Sequence, residues 1–274
     1  MNPLSGDSVP LALVTGATSG IGRAFAERLA RDGHDLILVA RTHEALEALA
    51  AALRRQANVS VHTLAADLST LDGCRRVEEH LGAVDLLVNN AGTMPAGAFL
   101  RNGVEAEEQV LDLNTRAVLR LTHAVLPGMI ERRSGRVVNV ASFSALGPGG
   151  LATTYPASKS WVLAFTEAIG RSDQVRRSGV RMMALLPGFT RTGLFRRTGI
   201  ETSPMPRWIW LEADRVVADA LRDLAKGRVV CVPGLRYKLA GWGLRHLPRP
   251  MLKPLSWDFS APGRRWPPAD GRRK

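Results

Sequence analysis

The sequence predicts one α/β domain built around a parallel β-sheet with helices on both faces. Three observations support this fold class. Short apolar runs recur along the chain, longer segments with helical spacing separate them, and most of the runs are continuously apolar rather than alternating. Continuous apolar runs indicate strands that are buried on both faces, as in a parallel sheet. Strand–helix repetition with right-handed crossovers then gives a doubly wound sheet.

Seven apolar runs are predicted to be strands. In chain order they are 11–15, 35–40, 60–65, 85–89, 136–142, 181–186 and 228–232. Segments between them, such as 20–32 and 42–56, carry their charged residues on one face, as surface helices do. The chain therefore divides into an N-terminal arm (1–9), a single domain (10–233) and a C-terminal extension (234–274) that departs from the strand–helix pattern.

Cysteine content and hydropathy limit the cellular setting. The two cysteines, Cys74 and Cys231, provide no disulfide framework, and nothing near them has metal-ligand spacing. We therefore predict no metal site and a reducing, cytoplasmic environment. The first ten residues lack the charged start and apolar run of a signal peptide. No run of eighteen apolar residues predicts a spanning helix, so we expect a soluble protein.

The positive charge is concentrated in the C-terminal extension. Of the net charge of +12, residues 235–274 carry +8, from ten Lys/Arg and two acids. The extension also holds Trp242, Trp257 and Trp266 among several prolines. It can lie against an anionic membrane surface, wrap the domain or a neighbouring subunit, or be partly disordered, and these interpretations stay open. Nucleic-acid binding needs an organised basic and aromatic surface, and we do not predict it.

A glycine-rich turn follows the first predicted strand and opens the first predicted helix. It reads Val14-Thr15-Gly16-Ala17-Thr18-Ser19-Gly20-Ile21-Gly22. Glycines there let the backbone approach a pyrophosphate, while the helix N-terminus offers free N–H groups to the anion. A plain turn is the alternative, but the flanking strand and helix favour a Rossmann-type dinucleotide site. The predicted contacts are Gly16, Thr18, Ser19, Gly20, Ile21 and Gly22.

The residue after the second predicted strand bears on which dinucleotide binds. That strand ends at Ala40 and is followed by Arg41. In this fold the position lies beside the adenosine ribose, where an acid would bind a 2′-hydroxyl and an arginine can pair with a 2′-phosphate. Arg41 therefore favours NADP(H) over NAD(H), with an ordinary surface arginine as the alternative.

Five further motifs follow in order. They are Asn89-Asn90-Ala91-Gly92, Leu113-Asn114-Thr115, Ser142, Tyr155-Pro156-Ala157-Ser158-Lys159, and Pro187-Gly188 with Thr192. Ser142 precedes Tyr155 by thirteen residues. Together with the glycine turn, these motifs resemble those of the short-chain dehydrogenase/reductase family over roughly residues 10–232, and Arg41 resembles its single-domain, NADP-preferring branch. The resemblance implies a hydride-transfer enzyme.

Four side chains are the candidate catalytic groups. A tyrosine with an ordinary pKa near ~10 is a poor base at neutral pH. Lys159 lies one helical turn after Tyr155, and its charge, together with that of an oxidised nicotinamide, would lower the phenol pKa. Ser142 can donate a hydrogen bond to a substrate oxygen as negative charge develops. By resemblance, Asn114 holds a water in a proton relay from the lysine.

The resemblance also implies further contacts with the cofactor. Asp67 and Leu68, after the third strand, would meet the adenine, with an exposed loop acid as the alternative for Asp67. Asn90, Ala91 and Gly92 would pass the adenosine ribose. Tyr155 and Lys159 would reach the nicotinamide ribose. The remaining predicted contacts, around the nicotinamide, are Pro187, Gly188, Thr190 and Thr192.

The predicted substrate is a lipophilic ketone, secondary alcohol or acyl-type carbonyl. Seven side chains are expected to shape its pocket, and all are apolar: Phe143, Ala145, Leu146, Leu151, Phe189, Leu194 and Phe195. An anionic or carrier-bound substrate is the alternative, because three arginines lie in the same segment: Arg191, Arg196 and Arg197. The alternatives to an NADP(H)-dependent reductase are an NAD-linked alcohol dehydrogenase and a non-catalytic cofactor-binding scaffold at a membrane surface. By resemblance, we expect a homodimer or homotetramer.

Overall fold

Seven strands form one parallel sheet in the computed structural model, which describes residues 9–95, 97–147, 153–193 and 206–246. The strands are β1 (Leu11–Thr15), β2 (Asp35–Ala40), β3 (Val61–Ala65), β4 (Leu86–Asn89), β5 (Arg136–Val140), β6 (Arg181–Leu185) and β7 (Val230–Cys231). Their order across the sheet is β3-β2-β1-β4-β5-β6-β7, and every neighbouring pair is parallel. The predicted Rossmann-type fold class is confirmed, with its topological switch point between β1 and β4.

The predicted strands differ from the observed ones mainly at their ends. β1 and β2 agree at both ends, and the other five are one to three residues shorter than predicted. β7 is the shortest because only Ala184 and Leu185 of β6 pair with it. β5 ends at Val140, so Ser142 lies beyond the strand and caps a short 3₁₀ turn at Phe143–Leu146.

The described chain contains nine helices, most of which pack against the two faces of the sheet. They are α1 (Gly20–Arg31), α2 (His43–Gln56), α3 (Leu71–Glu78), α4 (Val104–Leu111), α5 (Ala117–Glu131), α6 (Thr154–Gly170), α7 (Asp173–Ser178), α8 (Ala213–Ala225) and α9 (Leu235–His246). Helices α1, α2 and α8 bury their apolar residues against one face, and α3, α5 and α7 bury theirs against the other. The strands are apolar on both sides because both sides are covered.

A π-helical turn, Asp112–Arg116, joins α4 to α5 and was not predicted. It carries Asn114, which has no solvent exposure. Turns of this kind locally widen a helix and often occur at functional sites. The turn therefore gives Asn114 a placement that regular helical geometry would not give it.

A buried chain of polar side chains crosses the interior beneath the carboxyl ends of β4 and β5. Asn89 Nδ2 donates to Asn139 Oδ1 at 2.9 Å and to Thr122 Oγ1 at 3.2 Å. Asn139 Nδ2 in turn donates to Thr166 Oγ1 at 3.0 Å. This polar chain links two strands to helices α5 and α6 by directional bonds, which apolar packing does not supply.

The C-terminal extension begins as a packed helix. Its described part forms α9, whose first turn is tied to the domain by a 3.0 Å hydrogen bond from Gly234 N to Asp219 Oδ2. The rest of the extension, from residue 247, and residues 1–8 of the arm lie outside the described residues. Cys74 and Cys231 are buried and unpaired. Among the helices that the structure describes, none has the length and apolarity to cross a bilayer.

Candidate active site

The four candidate catalytic residues meet near the carboxyl ends of β4 and β5. Tyr155 lies in the first turn of α6 and Lys159 in the next, with Lys159 Nζ 5.9 Å from the centre of the Tyr155 ring. The Ser142 side chain lies close enough to the Tyr155 phenol to act on its pKa. A Cβ added to Gly92 would lie 3.1 Å from Asn114 Oδ1 and 3.3 Å from Lys159 Nζ, so these two groups converge on one point.

Burial dominates the electrostatics of Tyr155 and Lys159. It raises the pKa of the Tyr155 phenol above its ordinary value, and the Ser142 side chain acts in the opposite direction. Burial also lowers the pKa of Lys159 to about 8. The Lys159 ammonium donates to Val140 O at 2.9 Å. In the protein alone desolvation therefore raises the phenol pKa. The expected lowering by Lys159 together with an oxidised nicotinamide stays a prediction.

Ser142 is oriented by a neighbour that no sequence motif signals. Its Oγ accepts hydrogen bonds from Ser144 N at 3.2 Å and from Ser144 Oγ at 2.9 Å. A hydroxyl that accepts from two donors still has its own proton to give. The arrangement directs the Ser142 proton toward the Tyr155 phenol and toward an oxygen placed beside it.

The start of α6 is held by a buried carboxylate that the sequence argument missed. Glu107 in α4 accepts from Thr154 N at 2.8 Å, from Thr154 Oγ1 at 2.5 Å and from Asn102 Nδ2 at 2.6 Å. Burial acts to raise the pKa of Glu107, but the bonds from Thr154 and Asn102 hold it below its ordinary value. A negative charge at a helix N-terminus is favourable. Glu107 therefore fixes the turn that carries Tyr155.

Both the nitrogen and the oxygen of the Asn114 side-chain amide form hydrogen bonds within the protein. Its Nδ2 donates to Thr93 O at 2.9 Å and to Ser158 Oγ at 3.1 Å, and its Oδ1 accepts from Thr93 N at 2.9 Å. These bonds tie the π-helical turn to the segment after Gly92 and to α6. The predicted water-holding role of Asn114 stays a prediction, and the side chain serves first as a brace within the site.

The glycine-rich turn is locked to the segment that follows β4. Thr15 Oγ1 accepts from Asn90 N and Ala91 N, each at 2.9 Å. Asn90 Nδ2 donates to Thr15 O at 2.9 Å and to Gly16 O at 3.2 Å. A Cβ on Gly16 would lie 2.8 Å from Asn90 Nδ2, and Gly16 also has a φ of +63°. Asn90 thus braces the turn, and only glycine fits at position 16.

The turn offers the donor set that a dinucleotide phosphate requires. Helix α1 begins at Gly20 and has no acidic residue in its first turn, so its positive end is not neutralised. A Cβ on Gly22 would collide with Gly16 O, which shows how closely the backbone is folded there. Ala17 N donates to Val39 O at 3.2 Å and brings the turn beside the end of β2, where Arg41 is exposed. These residues fit a bound phosphorylated dinucleotide.

Two predicted adenine contacts are constrained by their own environment. Asp67 Oδ1 accepts from Ser69 N at 2.9 Å and from Ser69 Oγ at 2.7 Å. The Leu68 side chain is buried in the apolar layer beneath the loop. Leu68 can therefore offer only its backbone to a ligand, and one oxygen of Asp67 is already engaged. Both contacts stay predictions.

The segment after β6 spans from the candidate catalytic groups to the glycine turn. Phe143 N donates to Pro187 O at 2.9 Å, which ties the segment to Ser142's neighbour. Thr190 Oγ1 donates to Gly188 O at 3.0 Å. A Cβ on Gly20 would lie 2.7 Å from Thr192 Cγ2, so Thr192 reaches the glycine turn. The predicted nicotinamide contacts therefore lie between the two parts of the site.

The surface next to Ser142, where the sequence predicts the substrate, is apolar. It includes helix α9, which was not predicted there. Phe143, Ala145, Leu146 and Phe189 are half-buried near Ser142. The ring of Tyr237 in α9 meets Phe143 edge-on, with centroids 5.0 Å apart. Arg191 pairs with Glu212 at 2.9 Å. The other residues proposed for this side lie outside the described residues: Leu151, Leu194, Phe195, Arg196 and Arg197.

Comparison with known proteins gives one family throughout. A family model described as short chain dehydrogenase matches residues 10–202. A very-long-chain 3-oxoacyl-CoA reductase of Laccaria bicolor is 38% identical over 176 residues, which cover 62% of this chain and 51% of that protein. The chain thus spans about half the length of this curated relative.

Two solved structures resemble the fold closely. A short-chain dehydrogenase from Sphingobium yanoikuyae in complex with NADPH is 36% identical with a TM-score of 0.79, and the match covers 88% of this chain and 97% of that one. A bulky-bulky ketone specific alcohol dehydrogenase from Comamonas testosteroni is 31% identical with a TM-score of 0.73, covering 88% and 99%.

Proposed function

The chain belongs to the short-chain dehydrogenase/reductase family, and from that premise we propose that it is an NADP(H)-dependent oxidoreductase acting on a lipophilic carbonyl or its alcohol. One observation carries the proposal, namely the convergence of Ser142, Tyr155 and Lys159 beside the segment that follows β6. Fold alone would not separate an enzyme from a binding scaffold. An intact set of proton-transfer groups favours the enzyme.

The chain's own residues manage the proton. NADPH, when bound, supplies the hydride in the reducing direction. Because burial raises the pKa of Tyr155, its phenol stays protonated at neutral pH and can donate to the carbonyl oxygen. Ser142 donates a hydrogen bond to the same oxygen as negative charge develops on it. Lys159, with a pKa of about 8, is the ionisable group beside the phenol that can restore its proton.

Arg41 and a solved relative support NADP(H) as the cofactor. Arg41 is exposed at the end of β2, where a 2′-phosphate can pair with its guanidinium. The relative from Sphingobium yanoikuyae was solved in complex with NADPH. The turn 16–22 would hold the pyrophosphate, and the segment 187–192 would hold the nicotinamide end. An NAD-linked alcohol dehydrogenase is the alternative that Arg41 opposes.

A lipophilic substrate is supported by the described pocket wall and by two relatives. Phe143, Leu146 and Phe189 present apolar surface beside Ser142. One relative is named for bulky ketones and another for a 3-oxoacyl-CoA.

We also propose a homo-oligomer, in which a second subunit covers apolar surface on α4 and α5. Leu111 at the end of α4 and Leu119 in α5 each leave 42% of their surface exposed. Light scattering of the purified protein tests its mass.

The test is turnover of NADPH with a panel of aryl and long-chain ketones and a 3-oxoacyl thioester. Tyr155→Phe is expected to lower kcat by roughly 10²–10⁴-fold while NADPH still binds, because only the proton donor is lost. Undiminished turnover in this variant would contradict the mechanism. Arg41→Asp is expected to weaken NADPH binding at least tenfold and to spare NADH. A wild-type preference for NADH would instead support the NAD-linked alternative.

A further inference from the structure

We propose that Tyr237 in helix α9 is a positioning residue that fixes the segment 187–190 (here the nicotinamide-side loop) and through it affects the binding of bulky substrates. The inference rests on the proposed function, because it takes this loop and the segment at Phe143 as the two walls of the substrate pocket. Tyr237 lies in the C-terminal extension, 82 residues after Tyr155. Nothing in the family motifs points to it.

The Tyr237 hydroxyl joins two backbone segments. It accepts a hydrogen bond from Phe189 N at 3.0 Å and donates one to Ile209 O at 3.0 Å. The two segments are already paired, since Leu211 N donates to Phe189 O at 2.8 Å. One side chain therefore ties the nicotinamide-side loop to the chain that leads into α8.

The Tyr237 ring contacts both walls, the nicotinamide-side loop and the segment at Phe143. A Cβ added to Gly188 would collide with the ring, so the loop passes directly against it and needs glycine at that point. The ring also meets Phe143 edge-on, with the planes at 71°. Since Phe143 N donates to Pro187 O, the two walls are joined directly, and the ring packs against both of them.

Helix α9 is held in place by contacts along its length. Lys238 Nζ lies 4.0 Å from Asp223 Oδ2, and Arg236 Nη1 donates to Trp208 O at 3.0 Å. Further along, a Cβ on Gly241 would lie 3.1 Å from Leu146 Cδ1. Tyr237 thus projects from a support that is anchored to α8 and to the catalytic segment. Because α9 is held in place, a side chain on it can fix the position of the loop that it contacts.

The role of Tyr237 differs from that of Tyr155. Burial raises the pKa of Tyr237 to about 12, so its phenol keeps its proton over the working range of pH. Its hydroxyl has both a donor and an acceptor partner, which leaves its proton committed to Ile209 O. Tyr237 is therefore expected to act on substrate binding through the loop and to take no part in proton transfer.

The decisive variant is Tyr237→Phe, which keeps the ring and removes the hydroxyl. In the cofactor-free protein we expect the Phe189 amide to exchange its hydrogen at least tenfold faster, because its partner is lost. With bulky ketones we expect KM to rise about tenfold, while kcat and its pH profile stay within twofold. A merely structural role would lower the folded fraction and the apparent kcat and leave KM unchanged.

Trp242→Phe is the matched control. Trp242 is an aromatic residue of the same helix, is 63% exposed and stacks on His246, so its replacement should change neither exchange nor KM. Unchanged Phe189 exchange in Tyr237→Phe overturns the proposal, as does faster exchange with an unchanged KM for bulky ketones. If the wild type reduces no carbonyl, the proposed function fails, and the exchange result alone decides whether Tyr237 positions the loop.

Discussion

Replacing Lys159 by methionine should alter the pH dependence of stability in a way that the structure allows to be worked out. The ammonium is buried, and its pKa falls from 10.5 to about 8 on folding. The unfolded chain therefore holds this proton between about pH 8 and 10.5, where the folded protein releases it. Stability of the wild type rises with pH through that window, because the unfolded state binds more protons there.

The size of the effect follows from the same shift. At neutral pH the buried charge costs about 3 kcal/mol, and this cost falls by about 1 kcal/mol between pH 7 and pH 9. Methionine removes the charge but leaves Val140 O without its 2.9 Å partner, a loss of about 1–2 kcal/mol. The methionine variant should therefore be the more stable protein at pH 7, by about 1–2 kcal/mol, and the proposed function predicts that it loses activity.

Thermal unfolding of the cofactor-free proteins between pH 7 and pH 9 measures this difference. The melting temperature of the wild type should approach that of Lys159→Met by about 2–4 °C over the interval, for a chain of this length. Lys226→Met, at an exposed lysine after α8, supplies the control and should follow the wild type at every pH. A gap between wild type and Lys159→Met that stays constant from pH 7 to pH 9 would refute the reasoning.

Two further substitutions test other parts of the site. Glu107→Gln should destabilise the protein by roughly 1–3 kcal/mol near neutral pH, because the bonds to Thr154 weaken. Folding lowers the pKa of Glu107, so the carboxylate stabilises the protein above the ordinary value of 4.5, and this stabilisation is lost as pH falls. Urea titrations should therefore show that the difference in free energy of unfolding between wild type and Glu107→Gln narrows below that pH. A gap that widens in acid would be inconsistent with this. Gly22→Ala should weaken NADPH binding more than tenfold, because the added Cβ would collide with Gly16 O. Fluorescence titration with NADPH measures this change. Gly82→Ala is the control and should leave NADPH binding unchanged, because a Cβ there has nothing within 4 Å.

Local patterns predicted the fold and the residues that meet in the candidate site, because those features are encoded within single segments. β1 and β2 are apolar runs closed by turn residues, so their limits agree with the structure. The glycine turn and the Tyr155–Lys159 spacing depend on one strand–helix junction and on one helical turn. Parallel strand order then brings such junctions to one edge of the sheet, and no longer-range information is needed.

The remaining features depend on contacts between distant segments. Glu107 acts on Thr154 from 47 residues away, and nothing in its own helix distinguishes it from a surface acid. Tyr237 meets a loop 48 residues earlier in the chain. The raised pKa of Tyr155 depends on how completely the fold excludes water around the phenol. Such effects arise only when the packed structure sets distances and burial.

The polar chain from Asn89 to Thr166 has a consequence for how such a site can diversify. Apolar neighbours in a core are interchangeable within limits of volume, but a buried amide and its hydroxyl partner must keep both their register and their angle. Thr166 follows Lys159 by two helical turns on the same helix. Mutational drift can therefore remodel the outer walls while the helix keeps the rotation that presents Tyr155 and Lys159, so that new pockets inherit an unaltered proton donor.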